Sequence, residues 1–296
     1  MSTFKTNLNR RQFLKYISGL GAALTLPLPL LLRAQGLPAE ITSMGASQLS
    51  AAIRERQVRC VEVMQAYLER IHRYNPVYNA IVSMVDDDEL MRQAKLADRA
   101  LDKDEYWGWM HGMPHAVKDL ANAKGLETSL GSRIFAGTIA DTDDLPIARI
   151  RAQGAIFIGK TNTPEFGLGS QTYNLVHGTT KSAYDPNLTA GGSSGGAASG
   201  IATHMLPVAD GSDMMGSLRN PAAFNNVIGF RPSQGRVPHV PSDDLYYSQL
   251  PVEGPMGRNV EDTIRLLRTM AGYDFRAPLS LRDEIPAYHE FRKADL

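Results

Sequence analysis

Apolar residues recur at helical spacing in two stretches near the start of the chain. Over residues 46–75 the recurring apolar positions are Leu49, Ile53, Val58, Val61, Met64, Leu68 and Ile71. This period predicts an amphipathic helix that ends near Pro76, because proline removes a helical hydrogen bond. Residues 86–101 are rich in alanine, leucine and charge, and they predict a second helix. We therefore expect N-terminal helices over about residues 46–101.

The pattern changes after His111 to short, mostly apolar runs. Residues 114–117, 155–158 and 205–208 are such runs, and Gly- and Pro-containing turns and helical stretches separate them. Residues 147–152, for example, predict a helix that leads directly into the second run. Apolar runs of this length are typical of strands buried on both faces. Their alternation with helices predicts an α/β fold with a sheet covered by helices.

The first 36 residues differ from the rest in charge and pattern. Their charged side chains are all basic, namely Lys5, Arg10, Arg11, Lys15 and Arg33. The arginine pair and the Phe13-Leu14-Lys15 that follows precede an uncharged apolar run over about residues 17–32. This arrangement resembles the twin-arginine export signal, which a receptor reads as an address. We expect residues 1–36 to be a signal peptide that directs the folded protein to a bacterial periplasm.

The apolar run of this leader is shorter than a transmembrane helix, and Pro27 and Pro29 interrupt it. We therefore expect no stable membrane span in the mature chain. Residues 33–35 match a cleavage site poorly, so retention by an uncleaved leader stays open as an alternative.

Composition describes a globular protein without obvious affinity for polyanions. The 296 residues are 43% hydrophobic, which is ample for a buried core. The 31 basic side chains balance the 31 acidic ones, but leaving out the five bases of the leader gives 26 against 31. A mildly acidic body argues against binding nucleic acid or anionic membranes. The lone Cys60 excludes an internal disulfide and a multi-cysteine metal site.

Residues 154–161 match the phosphate-loop pattern GxxxxGK[ST] letter for letter. A phosphate loop needs a flexible turn between a strand and a helix. Here the variable interior is itself an apolar strand, and Pro164 lies where the first helical turn needs a donor. We interpret this match as a strand rather than as a nucleotide site.

Two serine-containing segments are candidates for chemistry. Residues 189–200 place Ser193 and Ser194 between glycine pairs, which suits either a flexible linker or a loop that lets a substrate approach closely. Residues 210–221 place Ser217 directly after Gly216. A serine after glycine at a tight turn can present its hydroxyl beside converging backbone N–H groups, as an oxyanion hole requires.

A serine nucleophile needs a proton acceptor. Of the seven histidines, four lie between residues 111 and 204, but none has a recognisable triad setting, so we interpret each as structural or solvated: His111, His115, His177 and His204. Lys118 ends an apolar strand, where loss of solvation lowers the lysine pKa toward neutrality. The alternative is that Lys118 simply pairs with Asp119.

Taken in order, Lys118, residues 191–196 and residues 213–221 resemble the amidase signature family. That family is marked by a strand-end lysine, a GGSSGG loop and a DxGGSxRxP segment. The intervals also fit, with 75 residues from Lys118 to Ser193 and 24 from Ser193 to Ser217. The resemblance runs from about residue 42 to 272. It implies an amidase signature fold with a mixed central β-sheet covered by helices on both faces, in a domain over 37–296 whose core spans about 108–272.

The resemblance also implies a catalytic site without metal or cofactor. Ser217 would attack an amide carbonyl, and Ser193, which follows a cis peptide bond in the family, would connect it to the base Lys118. The implied oxyanion-hole donors are the backbone N–H groups of Met214, Met215, Gly216 and Ser217. The implied supporting residues are Gly192, Ser194, Asp213 and Arg219.

Two departures from the family pattern bear on substrate and activity. Met215 replaces the first glycine of the GGS, which we expect to crowd the oxyanion loop and narrow the acyl pocket. Family members are usually much longer, so we expect the C-terminal part of the fold and much of the pocket to be missing. An exposed sheet edge would then favour homo-oligomers.

The function that the motifs predict is hydrolysis of a small-molecule carboxylic amide through an acyl-enzyme on Ser217. One alternative is a catalytically incompetent remnant that has the triad residues but cannot assemble the pocket. Another is a glutamine-dependent amidotransferase of the A type, which the export signal opposes because that chemistry serves cytoplasmic tRNA.

Overall fold

The structure is a computed structural model that describes residues 40–242 and 244–283. The predicted signal peptide over residues 1–36 lies outside the described residues. The helices are α1 (Ala46–Arg54), α2 (Cys60–Tyr78), α3 (Asp87–Asp102), α4 (Leu145–Ala152), α5 (Gly195–Ala202), α6 (Arg219–Phe224) and α7 (Val260–Met270). The strands are β1 (Ile81–Val82), β2 (Pro114–Lys118), β3 (Ile156–Thr161), β4 (Tyr173–Asn174), β5 (Gly178–Thr179), β6 (Val208–Asp213), β7 (Ile228–Gly229) and β8 (Val252–Gly257).

The prediction of one long N-terminal helix is wrong, because a turn divides it into α1 and α2. Arg56 has a φ of 57°, which a helix cannot contain. Helix α2 then starts afresh at Cys60, whose N–H donates to the buried Asp98 carboxylate at 2.7 Å. The apolar period hid this break because Val58, inside the turn, is buried as well. Helix α2 also passes Pro76 and ends at Tyr78.

The predicted mixed α/β architecture is confirmed. Strand β3 lies between β1, which is antiparallel to it, and β2, which is parallel to it. Strand β8 pairs with β6 and β7, both antiparallel. Strands β2 and β6 adjoin, and the Asp210 side chain on β6 connects them. The strand end that carries Lys118 therefore lies beside the strand that leads into residues 213–219.

Two of the three apolar runs form strands where predicted, in β2 and β3. The third prediction, over residues 205–208, is wrong because β6 begins only at Val208. His204 has a φ of 61°, and the N–H of Met205 donates back to Gly200 at 2.8 Å. These residues form the buried turn between α5 and β6. They are apolar because the turn is in the core, which the apolar pattern alone does not distinguish from a strand.

The glycine-rich segment is a packed loop and helix, so the linker alternative is wrong. Every residue of α5 from Gly195 to Ile201 is buried. A Cβ at Gly196 would lie 2.3 Å from the backbone nitrogen of Asn162, so only glycine permits this approach. The interpretation of residues 154–161 as a strand is confirmed, because they include β3. Within it, Lys160 donates through Nζ to the carbonyl of Ala121.

Candidate active site

Lys118 is the centre of the candidate site. It ends strand β2 and is 1% exposed. Its Nζ lies 2.8 Å from Ser193 Oγ and 2.8 Å from Ser194 Oγ. A third hydroxyl, Ser212 Oγ, is 2.9 Å away. The alternative pairing with Asp119 is wrong, because that carboxylate accepts hydrogen bonds from the Ser129 and Gly131 backbone N–H groups instead.

Burial lowers the pKa of Lys118 from its usual range to about 8. The carboxylates of Glu253, Asp210 and Asp213 oppose this shift, because their negative charge favours the ammonium form. At a pH near 8 about half of the lysine is therefore in the neutral form, which a base requires.

The serine loop reaches Lys118 through an unusual backbone. The Gly192–Ser193 peptide bond is cis, as the family resemblance implies. Ser193 is 2% exposed and Ser194 is fully buried. The Ser194 hydroxyl donates to the carbonyl of Ser212 at 3.3 Å. By contrast, the Ser193 hydroxyl hydrogen has no acceptor among the described residues, so it is available for transfer.

Ser217 lies in the same cavity as Ser193. The cavity has a volume of about 190 Å³, and both serines line it. The Ser217 carbonyl accepts the N–H of Ser194 at 3.1 Å, which ties the two loops together. Within the described part of the chain the Ser217 hydroxyl makes no hydrogen bond. Lys118 is thus hydrogen-bonded to Ser193. Ser217 lines the same cavity as Ser193, but its hydroxyl is not hydrogen-bonded to either residue.

Asp213 shapes the turn that carries Ser217. Its carboxylate accepts the N–H of Gly216 at 2.7 Å and that of Leu218 at 3.1 Å. The Arg219 guanidinium donates to both carboxylate oxygens, at 3.0 and 3.1 Å. Burial opposes ionisation, but the Arg219 and backbone hydrogen bonds outweigh it and hold the pKa of Asp213 well below its usual range. These are the contacts that a supporting role requires.

The structure differs from the prediction for one oxyanion-hole donor. The Gly216 N–H points to the Asp213 carboxylate, so it is not free to bind an oxyanion. Among the described residues, the N–H groups of Met214, Met215 and Ser217 have no hydrogen-bond acceptor. The sequence motif could not show this, because it does not indicate which amides of the turn Asp213 uses.

The cavity beside Ser217 has apolar walls. Met215 is 80% exposed, so its side chain lies at the mouth rather than in the core. The described lining residues include no charged side chain, and their larger apolar members are Leu120, Phe166, Leu168, Met214, Met215 and Pro251. Phe166 has a φ of 54° in the short 3-10 turn Glu165–Gly167 that forms one side.

The four histidines lie outside the serine cluster, in agreement with the sequence interpretation. His111 contacts the carbonyl of Ala97, and His204 that of Thr42. His177 lies 3.1 Å from Ser129 Oγ. His115 contacts the carboxylate of Asp210 in the core.

Sequence reasoning missed Ser212 as a partner of the lysine ammonium. It lies on β6 two residues after Asp210 and directly before Asp213. Residues two apart on a strand share a face, so the strand assignment would have placed Ser212 and Asp210 together. Nothing in the motif itself marks either of them as a neighbour of Lys118.

Metal-ligating clusters and membrane-spanning helices are both missing from the described residues. No group of three or more His, Cys, Asp or Glu side chains in this part of the chain could hold a metal ion. No described helix combines the length and apolar character needed to cross a membrane.

Comparison with known proteins places the chain in a family. A family model described as Amidase matches residues 62–296. The structure of a bacterial aryl acylamidase of the amidase signature enzymes matches with a TM-score of 0.78 and 31% identity, covering 82% of this chain and 50% of that one. The chain belongs to the amidase family, as the motifs predicted, and it has the amidase signature fold.

Curated relatives with different names match to a similar degree. The A subunit of the glutamyl-tRNA(Gln) amidotransferase of Coxiella burnetii is 36% identical over 242 residues, covering 82% of this chain and 50% of that protein. The Acylamidase of Rhodococcus erythropolis is 35% identical over 253 residues, covering 86% and 53%. The chain therefore spans about half the length of these relatives.

Proposed function

We propose that this protein is a serine amidohydrolase that cleaves a small carboxylic amide to an acid and ammonia or an amine. The observation that carries the proposal is the buried Lys118 Nζ, which lies within 2.9 Å of three serine hydroxyls. A buried lysine with a lowered pKa and a hydroxyl at hydrogen-bond distance is a base coupled to a proton carrier.

In the proposed reaction the Ser217 hydroxyl turns toward Ser193 and attacks the amide carbonyl. Its proton passes to Ser193, while the Ser193 proton passes to neutral Lys118. The carbonyl carbon then carries an oxyanion, which the N–H groups of Met214, Met215 and Ser217 bind. Collapse expels the amine as the relay returns its proton, and water repeats the sequence to release the acid. Losing one such N–H donor typically costs about 3–4 kcal/mol in hydrolases.

The cavity walls support a neutral substrate with an apolar acyl group. Phe166, Leu168 and Met215 offer apolar contact area, and the described lining holds no charge to pair with a charged acyl chain. A charged group placed there would lose its hydration without compensation. This argues against a glutamine-type substrate for the described cavity.

Labelling by a fluorophosphonate serine probe tests the nucleophile and the base together. We expect the full 296-residue chain to be labelled at Ser217, as located by peptide mass, and Ser217→Ala to show no adduct there. We expect Lys118→Met to lower the rate at least about 100-fold, because the base is lost. The matched control is Lys160→Met, which removes a second buried lysine that contacts no serine of the site.

Labelling at a different serine, or unchanged labelling of Lys118→Met, would overturn the mechanism. A folded wild-type chain that is not labelled would favour the catalytically incompetent alternative.

Periplasmic delivery stays a prediction from residues 1–36. Because a receptor reads the arginine pair, we expect the double variant Arg10→Lys, Arg11→Lys to accumulate in the cytoplasm. Cell fractionation measures this, with Lys5→Arg as the matched control outside the pair. Unchanged delivery of the double variant would contradict the export signal.

A further inference from the structure

A buried histidine–aspartate pair lies beside the main chain of Lys118. His115 Nε2 lies 2.9 Å from Asp210 Oδ1, and both side chains are fully buried. The other oxygen, Asp210 Oδ2, accepts the main-chain N–H of Lys118 at 3.1 Å. A carboxylate in the core requires such partners, because an unpaired buried charge is costly.

The register of β6 makes this contact specific to Lys118. Asp210 and Ser212 are two residues apart on the strand, so their side chains share the face toward β2. Asp210 accepts the Lys118 main-chain N–H, while Ser212 Oγ lies 2.9 Å from Lys118 Nζ. Strand β6 therefore contacts Lys118 at its main-chain N–H and at its side-chain Nζ. Within the described residues, β2 and β6 belong to different hydrogen-bonded sheets and share no backbone ladder.

The histidine geometry indicates where its proton lies. His115 Nδ1 is buried and has no hydrogen-bond partner among the described residues. A proton on Nδ1 would therefore be buried without an acceptor, whereas a proton on Nε2 is donated to Asp210. The hydrogen bonds therefore fit a proton on Nε2, and in that form His115 orients the carboxylate of Asp210.

We propose that His115 and Asp210 are a positioning pair for Lys118, in which the histidine orients the carboxylate and the carboxylate fixes the main chain of the lysine. The proposal rests on the proposed function for its catalytic meaning. Without the negative charge of Asp210, desolvation would act on Lys118 with less opposition, and the lysine would lose its proton at lower pH.

Other charged groups face this pair and must be considered in any titration. The negative charge of Asp210 acts to raise the pKa of Lys160 on β3 and the pKa of Glu253 on β8. Glu253 and Asp213 act on Lys118 in the same direction as Asp210 does. Burial raises the pKa of Glu253 to about 7, and the negative charge of Asp210 adds to this shift, so Glu253 ionises more readily once Asp210 is replaced by asparagine. This response places more negative charge near Lys118, and it therefore reduces the shift expected for Asp210→Asn rather than producing it.

The test is an NMR titration of Lys118 in the full chain with ¹³Cε-labelled lysine, assigned by the signal that Lys118→Met removes. We expect Asp210→Asn to lower the Lys118 midpoint by about 1 pH unit. The matched control is Asp98→Asn, another buried aspartate that binds backbone N–H groups but belongs to α3. The Lys118 midpoint in Asp98→Asn should equal that in the wild type. An unmoved midpoint in folded Asp210→Asn would overturn the proposal.

A second comparison addresses the histidine and applies even where Asp210→Asn does not fold. We expect His115→Leu to slow fluorophosphonate labelling of Ser217 about tenfold, because a buried charged acceptor loses its donor. His115→Gln, whose amide can donate to Asp210, should recover most of the rate. Equal rates for the two variants would overturn the role of His115. Absence of labelling in the wild type counts against the proposed function, while the NMR midpoint still decides the positioning pair.

Discussion

The protonation of Lys118 controls the proposed chemistry. Its pKa of about 8 follows from burial, which removes hydration from the ammonium, against three carboxylates that favour it. The neutral form is the base, so activity should rise with pH through this value and fall as the pH drops below it.

The lowered pKa of Lys118 also affects stability. The free energy of unfolding decreases as the pH falls from about 10.5 to about 8, because in this range the unfolded chain binds a proton at Lys118 and the folded chain does not.

We therefore predict that the rate of Ser217 labelling rises with pH with a midpoint near 8. The measurement is the labelling rate between about pH 5 and 10 on protein whose fold is checked at each pH. Labelling of a small-molecule serine model by the same reagent corrects for the reagent's own pH dependence. A rate that is flat across this range, or that falls as pH rises, would contradict the assignment of Lys118 as base.

At the scale of elements, helix α5 depends on glycine at one position and not at another. A Cβ at Gly196 would meet backbone atoms of Asn162 and Ala80 at 2.3 and 2.5 Å. A Cβ at Gly200 would lie 3.1 Å from the Leu206 side chain and 3.9 Å from Ala80 Cβ, which is an ordinary contact distance. Backbone atoms in neighbouring segments cannot move aside, whereas a leucine can change its rotamer.

We predict that Gly196→Ala lowers the free energy of unfolding by about 3 kcal/mol, because the helix must separate from the segment that follows β3. Gly200→Ala, in the same helix, should change it by less than about 1 kcal/mol, since alanine also favours the helix. Urea unfolding of both variants measures the difference. Equal destabilisation would show that α5 does not pack as closely as the structure describes.

At the scale of the whole molecule, one carboxylate joins the first and last of the described helices. Asp262 of α7 accepts the N–H groups of Ala46 and Ser47 at 2.8 and 2.7 Å, and it is 1% exposed. It thus caps the N-terminus of α1 from 216 residues away in sequence. Helix α1 has no side-chain cap of its own, because its N-cap residue is Gly45.

Removing this carboxylate should loosen the attachment of α1. We predict that Asp262→Ala lowers the free energy of unfolding by about 2 kcal/mol, since one buried and one partly buried N–H donor lose their acceptor. The neighbouring Glu261→Ala removes an exposed carboxylate from the same helical turn and should change it by less than about 0.5 kcal/mol. Thermal or urea unfolding compares them, and similar values for both variants would contradict the capping role.

Much of the candidate site could be predicted from the sequence because its chemistry is local. Lys118, Ser193 and Ser217 each occur in a short segment whose residue types serve one purpose, and the order and spacing of these segments are specific. The break at Arg56 and the late start of β6 could not be predicted. Both involve buried apolar residues in turns, and an apolar period reports burial rather than backbone direction.

The sequence by itself determined the family, the α/β class and the residues that carry the chemistry, because these depend on residue type and spacing along the chain. Only the tertiary structure decided which groups surround Lys118. Ser212 and Asp210 contact Lys118, and His115 contacts Asp210, because β2 and β6 adjoin, although 92 residues separate Lys118 from Asp210. The same packing commits the Gly216 N–H to Asp213. It also sets the lysine pKa by burying the ammonium, since desolvation depends on all the atoms around a group.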